Sequence, residues 1–450
     1  MERTFYKMLV TIGLPVALQN LISTSVNLMD TLMVGRLGES ALSATSIANQ
    51  IFFFYSIVIF GITSAAVILC SQYWGNNQIG AIRKVLTLSL WLAASAGTVF
   101  VALLLLIPEQ LMALFTPDAT VVQLGVGYLR IIAVAYLLYG LTTTCLMVLR
   151  SVEDVKVAMC IYSLSVVVNV FFNYMFIFGK FGAPAFGVAG AAMGTVIARS
   201  LEFCIMLVYM LRAEKKIAYR LPMLRQMEPV LLKDMLHYGL PVMINELLWG
   251  AAHSLHVVIL GHMEAGVEAV AANSICSVVF QMSMSFIIGM SSASAVVIGK
   301  TVGQGDLQQT SRYAHKLLRV YFCVGLALFG LILLLREPVI QFYKIEPQTI
   351  AMAQQFMVVY AIVIFCTGFC HPLITGILRG GGDIMYAAVA DAGCLWLFLP
   401  IGAAAAFVFH AAPPLVYLVL RLEIVLKMFV CLFRLRNDNW IKVVIREDIS

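Results

Sequence analysis

Twelve apolar segments, each long enough to cross a lipid bilayer as a helix, are the feature that most restricts how this chain can fold. A helix needs about 20 apolar residues to span a hydrocarbon layer of roughly 30 Å. Only 12% of the residues are charged, against about 25% in an average soluble domain. We therefore predict an all-α membrane protein, because a membrane barrel would show short alternating segments instead. The predicted spans are 8–35, 41–73, 84–107, 121–149, 156–178, 187–211, 236–261, 267–298, 313–335, 350–378, 384–407 and 413–434.

The two halves of the chain repeat one another. The segment Gly13–Val16 reads Gly-Leu-Pro-Val and recurs as Gly239–Val242, at an offset of 226 residues. Further along, Leu149–Asp154 is matched by Leu378–Asp383 at an offset of 229. Each copy holds six helices, an even number, so both copies enter and leave the membrane on the same side. This predicts two six-helix lobes related by a pseudo-twofold axis along the membrane normal, an arrangement typical of alternating-access transporters.

The repeat and the charges divide the chain into an N-lobe (1–211), a cytoplasmic linker (212–235), a C-lobe (236–434) and a C-terminal tail (435–450). Basic residues mark the cytoplasmic side of membrane proteins. If the N-terminus is cytoplasmic, the loops and ends on that side carry 21 Lys and Arg, and the opposite loops carry 4, which are Arg36, Lys180, Arg336 and Lys344. We therefore predict an inner-membrane protein with both termini in the cytoplasm. The formal charge of +6 reflects this topology and does not indicate nucleic-acid binding.

Two helices carry polar stripes at repeat-related positions. The stripe on helix one consists of Asn20, Ser23, Asn27 and Asp30. The stripe on helix seven consists of Glu246, Trp249, His253 and His256, each 226 residues after its partner. Spacings of i, i+3, i+7 and i+10 place each set on one helix face. We expect both stripes to line a cavity between the lobes.

The acids of these stripes are candidate functional groups, since an ionisable side chain in a membrane span costs about 2.5 kcal/mol or more. Asp30 is expected in the outer half of the membrane and Glu246 near mid-depth. Each also has a structural interpretation. Asp30 is alternatively an interfacial cap of helix one, and Glu246 is alternatively a carboxylate hydrogen-bonded inside the packing of its lobe.

Three motifs resemble the signature of the MATE (multidrug and toxic compound extrusion) family. They are Gly13-Leu14-Pro15 near the start of helix one, the Asp-Thr-Leu-Met-Val-Gly-Arg-Leu-Gly sequence at 30–38, and the Leu-Arg-Gly-Gly-Gly-Asp sequence at 378–383. The resemblance also covers the helix count and the repeat. It implies a bacterial secondary transporter that exports organic, often cationic, compounds in exchange for Na⁺ or H⁺.

Within this family, the chain does not match either of two site patterns cleanly. The NorM-like branch has acids in helices seven and ten, whereas here Glu246 lies about one turn early and Gly368 occupies the helix-ten position. The DinF-like branch pairs its helix-one acid with an Asn and an Asp in helix five, and the corresponding residues here are Asn169 and Asn173. The second carboxylate of the DinF-like pattern is therefore missing, and the resemblance implies a polar ion or proton site in the N-lobe made of Asp30, Asn169 and Asn173, with Asp30 as a Na⁺ ligand. Glu246 is predicted as a further coupling residue because it is an acid within a membrane span.

The remaining membrane charges have simpler interpretations. Arg199 and Glu202 are three residues apart on helix six and are expected to neutralise each other. Asp391 in helix eleven either bonds Arg379 or lines the cavity. Asp383 is expected to cap the helix that follows it.

The substrate cavity should be adaptable, because promiscuous binding sites use aromatic and Met side chains that repack. His253 and His256 either titrate or pack as hydrogen-bonded side chains. The predicted substrate residues are Asn20, Asn27, Glu246, Trp249, His253, His256, Met282 and Tyr139.

The sequence therefore predicts a secondary antiporter that exports organic, cationic and amphipathic compounds by alternating access, with Na⁺ or H⁺ as the coupling ion and no other cofactor. The alternative is a lipid-linked precursor flippase of the same superfamily. An enzyme is disfavoured because no nucleophile–base or metal constellation and no Walker motif is present. The expected partners are organic cations and the lipid bilayer, and the expected state is a monomer.

Overall fold

The computed structural model describes residues 2–264, 266–341 and 347–446, so Lys344 and the last four residues of the predicted tail lie outside the described residues. Within them, eleven helices are long and apolar enough to cross a membrane, and each overlaps one of the first eleven predicted spans. These helices are α1 (Glu2–Gly35), α2 (Glu39–Gly75), α3 (Ile79–Leu106), α5 (Ala119–Ser151), α6 (Lys156–Phe178), α7 (Val188–Val208), α8 (Pro229–Gly261), α9 (Gly266–Gly303), α10 (Leu307–Gln341), α11 (Pro347–Pro372) and α12 (Ile384–Phe407).

The last predicted span, 413–434, is not one continuous helix. It consists of α13 (Pro413–Arg421) and α14 (Glu423–Leu435), which are separated by a turn at Leu422. A short helix that the apolar pattern did not predict, α4 (Pro108–Ala113), lies between α3 and α5. The predicted all-helical membrane fold is confirmed.

Two compact units make up the fold. The C-unit contains the residues up to Ala17 together with Ile244–Ile445, and the N-unit contains Leu18–Met243 together with Arg446. Helices α1 and α8 therefore each contribute to both units. In both helices the division falls just after a proline inside the helix, Pro15 in α1 and Pro241 in α8.

Glycines allow these shared helices to approach their neighbours closely. In the C-unit, a Cβ added to Gly13 would lie 3.5 Å from the carbonyl oxygen of Gly289. In the N-unit, a Cβ added to Gly239 would lie 3.0 Å from the carbonyl oxygen of Gly61. Gly13 and Gly239 are repeat partners at an offset of 226 residues, and Gly61 and Gly289 correspond at an offset of 228. The repeated sequence thus produces the same glycine-to-glycine packing twice.

The N-unit core is built around aromatic rings of α2 and α5. The rings of Tyr55 and Tyr136 stack with centroids 5.1 Å apart, and the Tyr55 hydroxyl donates to the Tyr136 carbonyl over 2.7 Å. Gly140 gives the Tyr55 hydroxyl its space, because a Cβ at this position would overlap that oxygen. This packing fixes the wall against which the N-unit cavity forms.

Candidate functional site

The N-unit contains a cavity of about 450 Å³ that lies wholly within this unit. Its charged lining residues are Asp30 from α1 and Arg199 and Glu202 from α7. Polar and aromatic side chains complete the wall, among them Asn27, Asn49, Asn169, Thr195, Phe52, Tyr128, Tyr136 and Tyr162. A cavity of this size can hold a small organic molecule.

Asp30 is held by a chain of amide hydrogen bonds. The Nδ2 atom of Asn173 donates to Oδ1 of Asp30 over 2.7 Å and to Oδ1 of Asn169 over 3.2 Å. Asn169 Nδ2 donates in turn to Oγ1 of Thr195 over 3.3 Å. No Lys, Arg or His among the described residues forms an ion pair with Asp30. The carboxylate therefore has a neutral donor but no opposite charge in contact.

The sequence of α6 and α7 explains how this chain of bonds forms. Asn169 and Asn173 are four residues apart and share one face of α6. Gly190 and Gly194 have the same spacing on α7 and let the two helices come close together. A Cβ on Gly194 would overlap Oδ1 of Asn173, and a Cβ on Gly190 would lie 2.5 Å from the Phe176 carbonyl oxygen.

Arg199 and Glu202 form the predicted ion pair. Their Nη1 and Oε2 atoms are 2.7 Å apart, and the Glu202 side chain is only 3% exposed, while that of Arg199 is 26% exposed. The guanidinium also lies over the Tyr139 ring, 5.0 Å from its centroid. The prediction that these two charges neutralise each other is confirmed. Their position on the cavity wall was not predicted.

Glu246 has a basic neighbour in the C-unit. Its Oε1 atom lies 3.4 Å from both Nη1 and Nη2 of Arg379. Arg379 is almost fully buried, and Glu246 is 29% exposed. The two predicted acids thus differ in their surroundings, since Glu246 contacts a cation and Asp30 does not.

Asp391 belongs to a buried ionic cluster at α12 and α14. Lys427 Nζ lies 2.7 Å from Oδ1 of Asp391 and 2.5 Å from Oε2 of Glu423. The second Asp391 oxygen accepts from Nδ2 of Asn245 over 2.8 Å. The interpretation in which Asp391 bonds Arg379 was wrong, because its contacts are with Lys427 and Asn245. Its place on a cavity between the lobes stays a prediction. Lys427 lies two helices further along the chain, on α14, and sequence spacing alone does not show that approach.

The Asp383 side chain does not cap α12, so that prediction was also wrong. Its carboxylate accepts instead from Arg434 Nε over 2.8 Å and from Lys442 Nζ over 2.5 Å. The residue is 0% exposed. A carboxylate buried this deeply is stabilised by the full positive charges of Arg434 and Lys442, which also make charge-assisted hydrogen bonds to it.

Predicted helix seven is α8, and the three aromatic residues of its stripe lie in the C-unit. They are Trp249, His253 and His256. The His253 ring stacks on Trp249 with centroids 3.8 Å apart, and its Nδ1 atom lies 3.0 Å from the Trp249 carbonyl oxygen. His256 is buried, and neither ring nitrogen has a hydrogen-bond partner among the described residues. The Met282 side chain is exposed on α9.

The N-unit cavity brings together only part of the predicted set. Asp30, Asn27 and Asn169 line it, and Asn173 holds Asp30, whereas Asn20 and Tyr139 are not among its lining residues. Sequence reasoning missed Thr195 and treated Arg199 and Glu202 as a local pair. The three occur at i, i+4 and i+7 on α7, so the stripe criterion used for helix one would have found them.

The MatE family model matches residues 15–175 and 241–404, which is well over half of the chain. The chain belongs to the MATE family. The multidrug resistance protein MdtK of Photorhabdus laumondii is 26% identical over 387 residues, which cover 83% of this chain and 82% of that protein. A probable multidrug resistance protein NorM of Thermotoga maritima is 24% identical over 392 residues, with 87% and 83% covered.

Solved MATE structures share the fold. A mutant of the Vibrio cholerae MATE transporter VcmN matches with a TM-score of 0.87 at 17% identity, covering 97% of this chain and 98% of that one. A MOP superfamily transporter from Pyrococcus furiosus matches with a TM-score of 0.84 at 18% identity, covering 97% of both chains. The predicted family, multi-pass membrane fold and transporter class are therefore confirmed, and this MATE protein belongs to a family of multidrug efflux transporters and not of enzymes.

Proposed function

We propose that this MATE protein exports organic cations in exchange for Na⁺ or H⁺, and that the two cations compete for the carboxylate of Asp30. The observation that carries this proposal is the position of Asp30. It lies on the wall of an organic-sized cavity, 2.7 Å from the neutral amide of Asn173 and without an ion-pair partner among the described residues.

An ionised carboxylate at this depth needs a positive partner. In a membrane interior an unpaired charge is costly, so the site favours states in which Asp30 carries a proton, a metal ion or an organic cation. One carboxylate is neutralised by one of these at a time. Binding the coupling ion from one side therefore releases the organic cation to that side, which is the exchange step of an antiporter.

The residues next to Asp30 allow either coupling ion. The Asp30 carboxylate lies on the same cavity wall as the amide side chains of Asn27 and Asn169. Together these groups supply the hard oxygen ligands that Na⁺ requires. A proton needs only the Asp30 carboxylate and the Asn173 donor, and we assign no further cofactor.

The wall of the cavity favours amphipathic cations. Tyr128, Tyr136, Tyr162 and Phe52 offer aromatic faces, which attract a cation through the ring quadrupole. A lipid-linked pyrophosphate would meet two carboxylates and only one guanidinium, so the flippase alternative is disfavoured by charge. We propose that the protein acts as a monomer.

The basic linker and loops support an inner-membrane orientation with both termini in the cytoplasm. Arg220 in the linker is exposed and is a suitable position to test this. In a background without the native cysteines, Arg220→Cys should resist an impermeant maleimide in intact cells and react with it once the membrane is opened. Labelling in intact cells would reverse the proposed topology.

The transport proposal is tested in liposomes that contain the purified protein. We expect either a Na⁺ gradient or a pH gradient, applied alone, to drive export of N-methyl-4-phenylpyridinium, an aromatic monocation. Asp30→Asn should be produced at the wild-type level and lose this gradient-driven flux. Wild-type flux in Asp30→Asn, with the same ion dependence, would falsify the assignment of Asp30.

A further inference from the structure

Three charged side chains line the N-unit cavity within the described residues, and their formal charges sum to −1. Asp30 and Glu202 are acidic and Arg199 is basic. Glu202 and Arg199 cancel through their contact of 2.7 Å. The uncompensated charge is therefore the single one on Asp30.

We infer that the Arg199–Glu202 pair determines the charge of the ligand that this cavity accepts, so that wild-type protein selects organic molecules with one positive charge over those with two. This inference rests on the proposed function and adds a rule for substrate charge. In a site of low dielectric constant, a ligand that brings the total to zero binds better than one that leaves a net charge. A monocation leaves zero and a dication leaves +1.

Arg199 is the member of the pair that a ligand can meet. Its side chain is 26% exposed, and that of Glu202 is 3% exposed. The guanidinium is fixed on one side by Glu202 and on its face by the Tyr139 ring. Its charge would repel a second positive group on a ligand that already contacts Asp30.

Glu202 acts as a positioning residue by retaining that guanidinium. Arg199 and Asp30 line the same cavity. Without the Glu202 carboxylate, the flexible Arg199 side chain would find its next available acid on the same wall, which is Asp30. An internal Arg199–Asp30 pair would then replace the ligand. Glu202 thus keeps Asp30 available to exported cations.

Three variants give three different net charges. Arg199→Gln changes the total to −2, Glu202→Gln changes it to 0, and the double variant Arg199→Gln/Glu202→Gln returns it to −1. Arg199→Lys keeps the charge with a different shape. Arg336→Gln is a matched control, since it removes a guanidinium from an ion pair of 3.7 Å outside the cavity.

The experiment compares two nearly isosteric probes on purified protein. N-methyl-4-phenylpyridinium carries one positive charge, and methyl viologen carries two on the same biaryl frame. Dissociation constants are measured for both by titration calorimetry, and the ratio between them is the readout. Melting temperatures recorded on the same samples identify variants that fail to fold.

We expect wild-type protein, Arg199→Lys and Arg336→Gln to prefer the monocation. Arg199→Gln should shift the ratio toward the dication by about tenfold or more, since one like charge has left the wall. Glu202→Gln should weaken monocation binding by about tenfold or more, and the double variant should regain the preference for the monocation. That recovery shows that charge, not loss of packing, caused the single-variant effects.

A ratio that stays constant in folded variants, with both probes weakened equally, would overturn the inference and make the pair merely structural. Failure of the double variant to regain the monocation preference while folded would also overturn it. The proposed function fails separately, when wild-type protein does not bind the monocation or binds it no better than Asp30→Asn does.

Discussion

The Nδ2 atom of Asn173 lies 2.7 Å from Oδ1 of Asp30, and this amide is the one hydrogen-bond donor that the described residues supply to that carboxylate. The contact joins α1 to α6 across a single cavity wall. The contact fixes the orientation of the Asp30 carboxylate, because Asn173 is fully buried and also donates a hydrogen bond to Asn169. The position of the Asp30 carboxylate therefore depends on an uncharged side chain.

We expect Asn173→Leu to abolish coupled export while the protein still folds. Leu has a similar shape but cannot donate, so Asp30 would lose its orientation without a new charge being introduced. Asn169→Leu should reduce export less, since Asn169 contacts Asn173 and not Asp30. Initial rates of gradient-driven flux in liposomes measure both effects. Equal rates for Asn173→Leu and wild type would show that the hydrogen bond is incidental.

Transport should be as sensitive to substitution of Gly194 as it is to substitution of Asn173. A Cβ at this position would overlap Oδ1 of Asn173 and lie 2.9 Å from its backbone nitrogen. Gly194→Ala is expected to push α6 away from α7, to lower transport strongly and to cost about 1–3 kcal/mol of stability. Gly127→Ala is the control, because a Cβ there meets nothing within 4 Å. Similar melting temperatures and transport rates for the two variants would contradict this close packing.

The sequence predicts this fold well because its strongest signals are local and repeated. Apolar length identifies the helices, and the offset between Gly13 and Gly239 identifies the repeat. The division of α1 between the two units was not predicted. The division depends on which neighbours each half of α1 packs against. These neighbours are distant in the sequence, since Gly13 and Gly289 are 276 positions apart.

Only part of the candidate site was predicted, because only some of its residues are marked by a local signal. Asp30 stands out because it is an acid in a span, and Asn169 and Asn173 follow from the resemblance to the DinF-like site pattern. The partners of Glu246, Asp391 and Asp383 are not local, and each is a cation that lies far away in the sequence. The physical rule that a buried charge finds a partner holds in all three cases, but the rule does not name the partner.

Lys427 is the main support of the C-unit ionic cluster. It neutralises two buried carboxylates, Asp391 and Glu423, at 2.7 and 2.5 Å. Lys427→Met would leave both without their cation, and we expect a loss of about 3–5 kcal/mol in stability. Lys156→Met, at an exposed position on α6, should change the melting temperature little. Adding Glu423→Gln to Lys427→Met should recover part of the loss, because one unpaired charge is removed.

Thermal unfolding in detergent, followed by tryptophan fluorescence, measures this series. The order of stability should be wild type and Lys156→Met first, the double variant next and Lys427→Met last. A Lys427→Met protein as stable as wild type would mean that Asp391 and Glu423 are neutral without the lysine.

The role of Glu246 as a second coupling acid remains a prediction, and Arg379 provides the means to test it. Because the guanidinium of Arg379 lies 3.4 Å from the Glu246 carboxylate, Glu246 already has a counter-ion and does not need a transported one. We therefore expect Glu246→Gln to keep the ion dependence of efflux that Asp30→Asn loses. The substitution should instead lower the stability of the protein, since it leaves the buried Arg379 guanidinium without its carboxylate. The Nε atom of Arg379 already has no partner among the described residues. Glu246→Gln/Arg379→Gln should recover part of that stability. Flux driven separately by a Na⁺ gradient and by a pH gradient, together with the melting temperature, distinguishes a coupling role of Glu246 from a structural one. Loss of ion dependence in a stable Glu246→Gln protein would show that Glu246 takes part in coupling together with Asp30.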